Sequence, residues 1–392
     1  MGWHWVLEMS KYFELWVLTR ESNRHTIEPW VADHPEYATI HFVYYDLPRW
    51  ARRWKKGLRG VRTYYNLWQT LTNGIVRRTM RENDIHIFHH LTYGNALWKV
   101  SAYGQRQFFV WGPVSAAAVT PKDFTRHYGT MSRMKEALQR LMRKTLPLNQ
   151  GFIHRCRDAK LILCKTDDTI ACVPEKYRHK CVQFTDVAVE LKDTSRYNIV
   201  PTPTNKIRFL SAGSLVGWRN FDVLIDAFAM AVKQNFNISL TILGDGDERE
   251  RLTSLIAERN MQQYITMGGQ VSMEEYNRRM AECDVVVNPC FREGAVTVSF
   301  DSMSFGKPLI CFDTGGYTHY FTEDYAKIIK GVQTREQATK RLAEEILSMT
   351  RRQQIAEMGA KARQAAGNYT WHKHGEEIRD VITKTYEHDE HS

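Results

Sequence analysis

Short apolar runs alternate with longer stretches of helical period along most of this chain, a pattern that predicts parallel sheets flanked by helices. Residues 3–12 read as a helix and 14–19 as a strand, with a second strand at 41–45 closed by Asp46-Leu47-Pro48. Residues 63–80 read as one long helix, followed by strands at 85–89 and 108–111, the latter running into Gly112-Pro113. A basic helical stretch then leads to strands at 161–164 and 181–184. Residues 192–205, polar and carrying Pro201 and Pro203, form the linker candidate.

The pattern restarts beyond the linker. Strands at 207–212, 239–243, 265–267, 284–289 and 309–312 alternate with helices at 222–232, 248–259, 273–281 and 296–305. Late helices follow at 342–347, 353–366 and 371–386, before a polar tail expected to be disordered. The length suits two domains, here 1–195 and 206–366, with a final helix at 369–386. One feature is out of place. A Rossmann-like domain opens with a strand and a glycine-rich turn, whereas Gly2-Trp3 enters a helix at once. The first domain is therefore expected to lack its first strand, as in a chain starting downstream of its full gene.

Apolar residues make up 43% of the chain and charged ones 25%, as in ordinary globular proteins. No apolar run approaches the ~18 residues of a membrane helix, and Glu8, Lys11 and Glu14 interrupt any signal-like stretch near the start. The seven cysteines have no CxxC or zinc spacing, and Cys164, Cys283, Cys290 and Cys311 fall in or beside apolar runs. A reducing cytoplasm is the expected compartment, with no metal. The net charge of +10 is concentrated in 49–62 and in 133–144, where Met131, Met134, Leu138, Leu141 and Met142 recur at helical spacing. Such stretches suit an anionic membrane surface or a solvated helix face. No nucleic-acid motif accompanies them.

The chemistry concentrates in the run Asn288 to Gly316, NPCFREGAVTVSFDSMSFGKPLICFDTGG. A strand stops at Pro289, a polar loop presents Glu293, and Asp301 follows about two helical turns into the next helix. Two carboxylates so placed suit a sugar and a ribose lying across a helix N-terminus, whose N–H groups favour phosphate. A strand-loop-helix unit with surface acids would look the same. The whole run resembles the donor-site signature of glycosyltransferase family 4, retaining enzymes of GT-B architecture, with Asp301 where the family carries Glu.

That resemblance implies two Rossmann-like α/β domains: an N-terminal acceptor-binding one, and a C-terminal one for the nucleotide sugar, with a last helix crossing back. It implies a metal-independent glycosyltransferase with no cofactor, which moves a sugar from a nucleotide-sugar donor to a glycan or lipid-linked acceptor. Cell-surface polysaccharide synthesis on the inner membrane face is the implied setting. The donor would be held by Gly213, Ser214, Arg219, Gly244, Gly246, Gly269, Glu293, Gly294, Ala295, Val296 and Asp301. Arg219 and Ser214 stand at the family's two cationic positions and Asn220 at a glycine. Glu293, Arg219 and one of His89 and His90 would act at the reacting centre, with Gly112, Pro113 and Tyr93 on the acceptor side. Adjacent histidines on a strand point to opposite faces. Gly244-Asp245-Gly246-Asp247 contains a D-x-D, but after an apolar strand and before a charged helix it reads as a turn and N-cap. A nucleotide-sugar epimerase and a non-transferring sugar-nucleotide-binding protein remain as alternatives.

Overall fold

Parallel strands can only return beside one another through a crossover, so short apolar runs spaced by helices build parallel sheets. The computed structural model has that architecture. It describes the chain except for residues 1, 53–59, 102–106, 117, 198–205, 293–296, 315–318 and 392. The chain divides into two compact units, Met1–Ala116 with Arg143–Asp186 and Trp371–Ser392, and Ala117–Met142 with Val187–Thr370.

In the first unit, β1 (Trp16–Thr19) and β2 (His41–Tyr44) pair in parallel as a sheet of their own. A second parallel sheet holds β3 (Ile87–His90), β4 (Phe108–Val114), β5 (Leu161–Cys164) and β6 (Cys181–Gln183) in that order. Successive side chains leave a strand on opposite faces. Phe108 and Val110 accordingly pack with Trp5 and Met9 of helix Gly2–Met9 and with Ile378 and Ile382 of helix Trp371–Glu390. Phe109 and Trp111 pack the other way, against Phe152 and Cys156 of helix Gln150–Asp158.

Two local expectations need correction here. The single helix at 63–80 is two, Val61–Leu71 and Asn73–Glu82. The Thr72 hydroxyl between them donates back to the carbonyls of Trp68 (2.9 Å) and Gln69 (3.3 Å), and the following Asn73-Gly74 has poor helix propensity. The polar tail is not a loose end either, because helix Trp371–Glu390 continues through it and Asp389 pairs with Lys160 at 2.6 Å.

The second unit carries one six-stranded parallel sheet. Its strands are β7 (Ile207–Ala212), β8 (Ile238–Leu243), β9 (Ile265–Gly269), β10 (Val285–Asn288), β11 (Leu309–Phe312) and β12 (Ala326–Ile329). The order across the sheet is β12-β11-β10-β7-β8-β9. Helix Phe221–Val232 is buried at every position but Met230, since its neighbours include both the sheet and helix Arg335–Ser348. Its acids Asp222 and Asp226 are compensated by Arg335 at 3.4 and 2.6 Å and by Arg251 and Arg259 at 3.7 and 2.7 Å. Residues 117–142, which the sequence reading put in the first domain, pack in this unit. Phe124 and Tyr128 join the same core as Phe221 and Phe228.

Phe228 is fully buried and meets Phe209 edge-on at 5.8 Å. Truncating it, Phe228→Ala, should lower the unfolding free energy of the second unit by about 3–5 kcal/mol. Urea denaturation followed by tryptophan fluorescence measures this, and a loss below about 1 kcal/mol would contradict the packing described.

Candidate functional site

An open parallel sheet offers a ligand crevice at the C-terminal strand ends where the order reverses. In the second unit that point lies between β7 and β10, whose next strands lie on opposite sides. The loops after β7 and β8 are laced together there by backbone bonds, Gly213 N to the Leu243 carbonyl (3.0 Å) and Leu215 N to the Asp245 carbonyl (2.9 Å). A Cβ on Gly244 would stand 2.0 Å from the Gly213 oxygen, so no side chain fits at that crossing. A Cβ on Gly213 (φ +150°) would come within 3.3 Å of the Arg219 guanidinium. Gly246 likewise lies against the Leu215 carbonyl and Gly269 against Arg249, while Ser214 is exposed.

Arg219 ends the short 3-10 turn Gly217–Arg219 and lies over the Trp218 ring at 4.9 Å. A second guanidinium, that of Arg292 in the loop after β10, lies over the same ring at 4.8 Å. Arg292 pairs with Glu136 at 2.8 Å and also donates to the Ala118 carbonyl at 3.3 Å. Burial pulls its pKa below the usual guanidinium value, with Glu136 opposing that shift. Glu136 comes from helix Thr130–Thr145 and accepts a further bond from Thr120 N at 2.9 Å.

Asn220 explains one departure from the family pattern. Its φ is +53°, in the left-handed region where glycine and asparagine are the tolerated residues. Its side chain accepts from the Tyr128 hydroxyl at 2.9 Å and donates to the Pro289 carbonyl at 3.3 Å, tying the β7 and β10 loops together.

Asp301 lies on helix Thr297–Ser304, and its Oδ2 accepts from the Tyr276 hydroxyl at 2.8 Å. Burial raises its pKa, and the Tyr276 bond works against that. Glu293, Gly294, Ala295 and Val296 lie outside the described residues. In the D-x-D, Asp245 accepts from Gly246 N at 2.8 Å and Asp247 pairs with Lys135.

A second group lies in the first unit at the ends of β3 and β4. His89 Nε2 bonds to the Gly112 carbonyl at 2.7 Å, and His89 packs edge-on against Trp5. His90 Nε2 bonds to the Tyr65 hydroxyl at 2.9 Å on the other face. Burial pulls His89 down to about 4 and His90 to about 3, with neighbouring positive charge adding to the second shift. Tyr65 also contacts Tyr93 and Trp98, and exposed Tyr93 stacks on Trp98 at 4.9 Å. The Pro113 carbonyl packs against Gly94, where a Cβ would come within 2.0 Å of it.

With this geometry in place, the second half of the chain can be set beside known proteins. Residues 196–366 match the family Glycosyl transferases group 1. A curated relative is the UDP-N-acetylglucosamine--peptide N-acetylglucosaminyltransferase GtfA subunit of Streptococcus gordonii, 24% identical over 217 residues, which are 53% of this chain and 42% of that protein. The chain spans less than half the length of the curated relatives it matches. Among solved structures it is similar to a glycosyltransferase from Rickettsia africae (TM-score 0.58, 13% identity), covering 95% of this chain and 98% of that one. It is also similar to Anabaena Alr3699/HepE in complex with UDP (TM-score 0.57, 14% identity), covering 98% and 96%. The fold is that of GT-B glycosyltransferases, with two Rossmann-like units.

The segment that matches this family contains Gly213, Arg219, Gly244, Gly246 and Gly269 on adjoining loops. The sequence reading missed Trp218 and Arg292 as partners of Arg219. Their signal was present, an indole beside one arginine and a second arginine directly before Glu293.

The two histidines set a pH dependence for the first unit. Above the ordinary imidazole pKa of about 6.5, both are neutral folded and unfolded, and their contribution to stability is complete. Below it the unfolded chain takes up protons that the folded one refuses until about 4 and about 3. Stability should therefore fall between pH 6.5 and 3. Urea midpoints measured from pH 7 to 4.5 test this, and His90→Asn should flatten the slope; an unchanged slope would show that His90 is not held neutral.

Proposed function

We propose that this chain transfers a glycosyl group from a nucleoside-diphosphate sugar to a hydroxyl of a glycan or lipid-linked acceptor, with retention of anomeric configuration. The observation that carries the reading is the preorganised Arg219 at the switch point of the second sheet, inside the segment matched by the group 1 family. When the glycosidic C–O bond breaks, negative charge grows on the departing diphosphate. A cation already fixed in place stabilises that charge without reorganising at the moment of reaction. Small residues at 213, 244 and 246 let phosphate oxygens approach backbone N–H groups, and the N-terminal end of helix Thr297–Ser304 adds its dipole.

Glu293 holds hydroxyls of the transferred sugar in this reading, and Asp301 holds the ribose. Its Oδ2 is fixed by Tyr276, which leaves Oδ1 to accept a ribose hydroxyl. The acceptor hydroxyl attacks from the face the diphosphate leaves, so that positioning supplies much of the rate. In the first unit, Tyr93 stacked on Trp98 offers an aromatic face that suits a sugar acceptor. The counter-charge comes from Arg219 and the helix amides, so turnover should survive EDTA. A uridine donor is the first to test, given the UDP named with the Anabaena structure and the S. gordonii relative.

Contact with an anionic membrane surface belongs to the same reading. Exposed Met131, Met134, Leu138 and Leu141 form one stripe on helix Thr130–Thr145, which also carries Arg133 and Lys144.

A panel of nucleotide sugars tested by thermal shift should reveal one that stabilises the protein. With that donor, Arg219→Ala should reduce kcat by about 10²–10³ while leaving the circular dichroism spectrum unchanged, and Arg219→Lys should recover part of the loss. No stabilising donor, or full activity in Arg219→Ala, would overturn the assignment.

A further inference from the structure

Helix Thr130–Thr145 sets one carboxylate, that of Glu136, against two guanidiniums. Arg292 lies at 2.8 Å from it, and Arg140, one turn along the same helix, at 3.5 Å. The side chains of Glu136, Arg292 and Arg140 are 3%, 13% and 24% exposed, so the excess positive charge sits where water screens it poorly. Glu136 also accepts from Thr120 N at 2.9 Å. With Arg140 and Thr120 as further partners, the carboxylate does not occupy the whole of Arg292.

A guanidinium carries five N–H donors in one fixed plane. The bonds from Arg292 to Glu136 and to the Ala118 carbonyl (3.3 Å) both leave from Nη1. Among the described residues Nε and Nη2 have no acceptor, and neither is sealed from solvent. Arg292 thus has one anchored corner and one open edge, of the kind that takes two oxygens of an anion side by side. Its place narrows the choice of anion. Arg292 lies over the Trp218 ring at 4.8 Å and Arg219 over the same ring at 4.9 Å. Two guanidiniums on one indole repel each other, and an anion shared by both relieves that repulsion. The β7 loop brings no cation besides Arg219, because Ser214 is uncharged. A diphosphate has oxygens enough on its two phosphorus atoms to engage both arginines.

We propose that the open edge of Arg292, formed by Nε and Nη2, binds the diphosphate of the bound nucleotide together with Arg219. The inference rests on the proposed function and adds to it a cation from the loop after β10. Glu136 is a positioning residue in this arrangement, since its hold on Nη1 aims the other two nitrogens. Replacement by lysine separates the two roles of Arg292. A lysine pairs with Glu136 as the arginine does, but a single ammonium has no second edge to offer.

The test is calorimetric titration of the full chain with UDP, ADP, GDP and TDP, without and with Arg292→Lys. The diphosphate that the unaltered chain binds most tightly should bind Arg292→Lys about tenfold more weakly, with Tm moved by less than about 2 °C. Adding Ser214→Arg to Arg292→Lys should recover most of that affinity, because a guanidinium returns to the same crevice. If the unaltered chain binds none of the four, the nucleotide reading falls and this inference with it. If it binds one and Arg292→Lys binds that one equally well, or Ser214→Arg recovers nothing, this inference alone falls. A loss of affinity accompanied by a Tm drop beyond about 5 °C would mark Arg292 as a packing residue and overturn it as well.

Discussion

The reversal of strand order at the centre of the second sheet is the constraint on which the candidate site depends. Once β7 continues toward β8 on one side and β10 toward β11 on the other, their C-terminal loops diverge, the arrangement at which open parallel sheets hold their ligands. The glycines follow from that crowding. The Gly213 and Gly244 loops touch backbone to backbone, so a methyl group at Gly244 would displace the turn and one at Gly213 would crowd Arg219. Asn220 then fastens the two loops through Tyr128 and Pro289. Residues separated by about seventy positions thereby become one rigid rim.

Charge at the rim is held by a chain of supports. Glu136 fixes Arg292, Arg292 stacks on Trp218, and Trp218 also carries Arg219. A buried arginine without its carboxylate would be strongly destabilising, so the first link is set during folding and not by a ligand. The consequence is functional. Under the proposed function, Arg219 is oriented before any phosphate arrives, and preorganisation of that kind distinguishes transition-state stabilisation from simple attraction.

Much of this was legible in the residues, and the failures share a cause. Strands 161–164, 207–212 and 309–312 have the predicted bounds, because β-branched and aromatic runs closed by turn residues carry their own boundaries. The break at Thr72 was hidden because a hydroxyl bonding back to its own helix leaves no mark on hydrophobic periodicity. Residues 117–142 looked like part of the first domain, yet Phe124 and Tyr128 find their partners about a hundred positions away, around Asn220 and Phe228. The role of Arg292 was obscured in the same way, since its carboxylate partner lies in the other half of the chain. Local patterns give elements and turns; pairings between distant segments have to be seen in space.

The two units also differ in how completely their sheets satisfy themselves. In the second, six strands form one continuous ladder, and buried acids such as Asp222 have cationic partners. In the first, the ladder is interrupted between β1 and β3, and a buried indole N–H faces the interruption. A strand edge inside an apolar slot is costly unless water or another strand satisfies its backbone groups. The interruption between β1 and β3 among the described residues lies in the unit that carries His89, His90 and Tyr93.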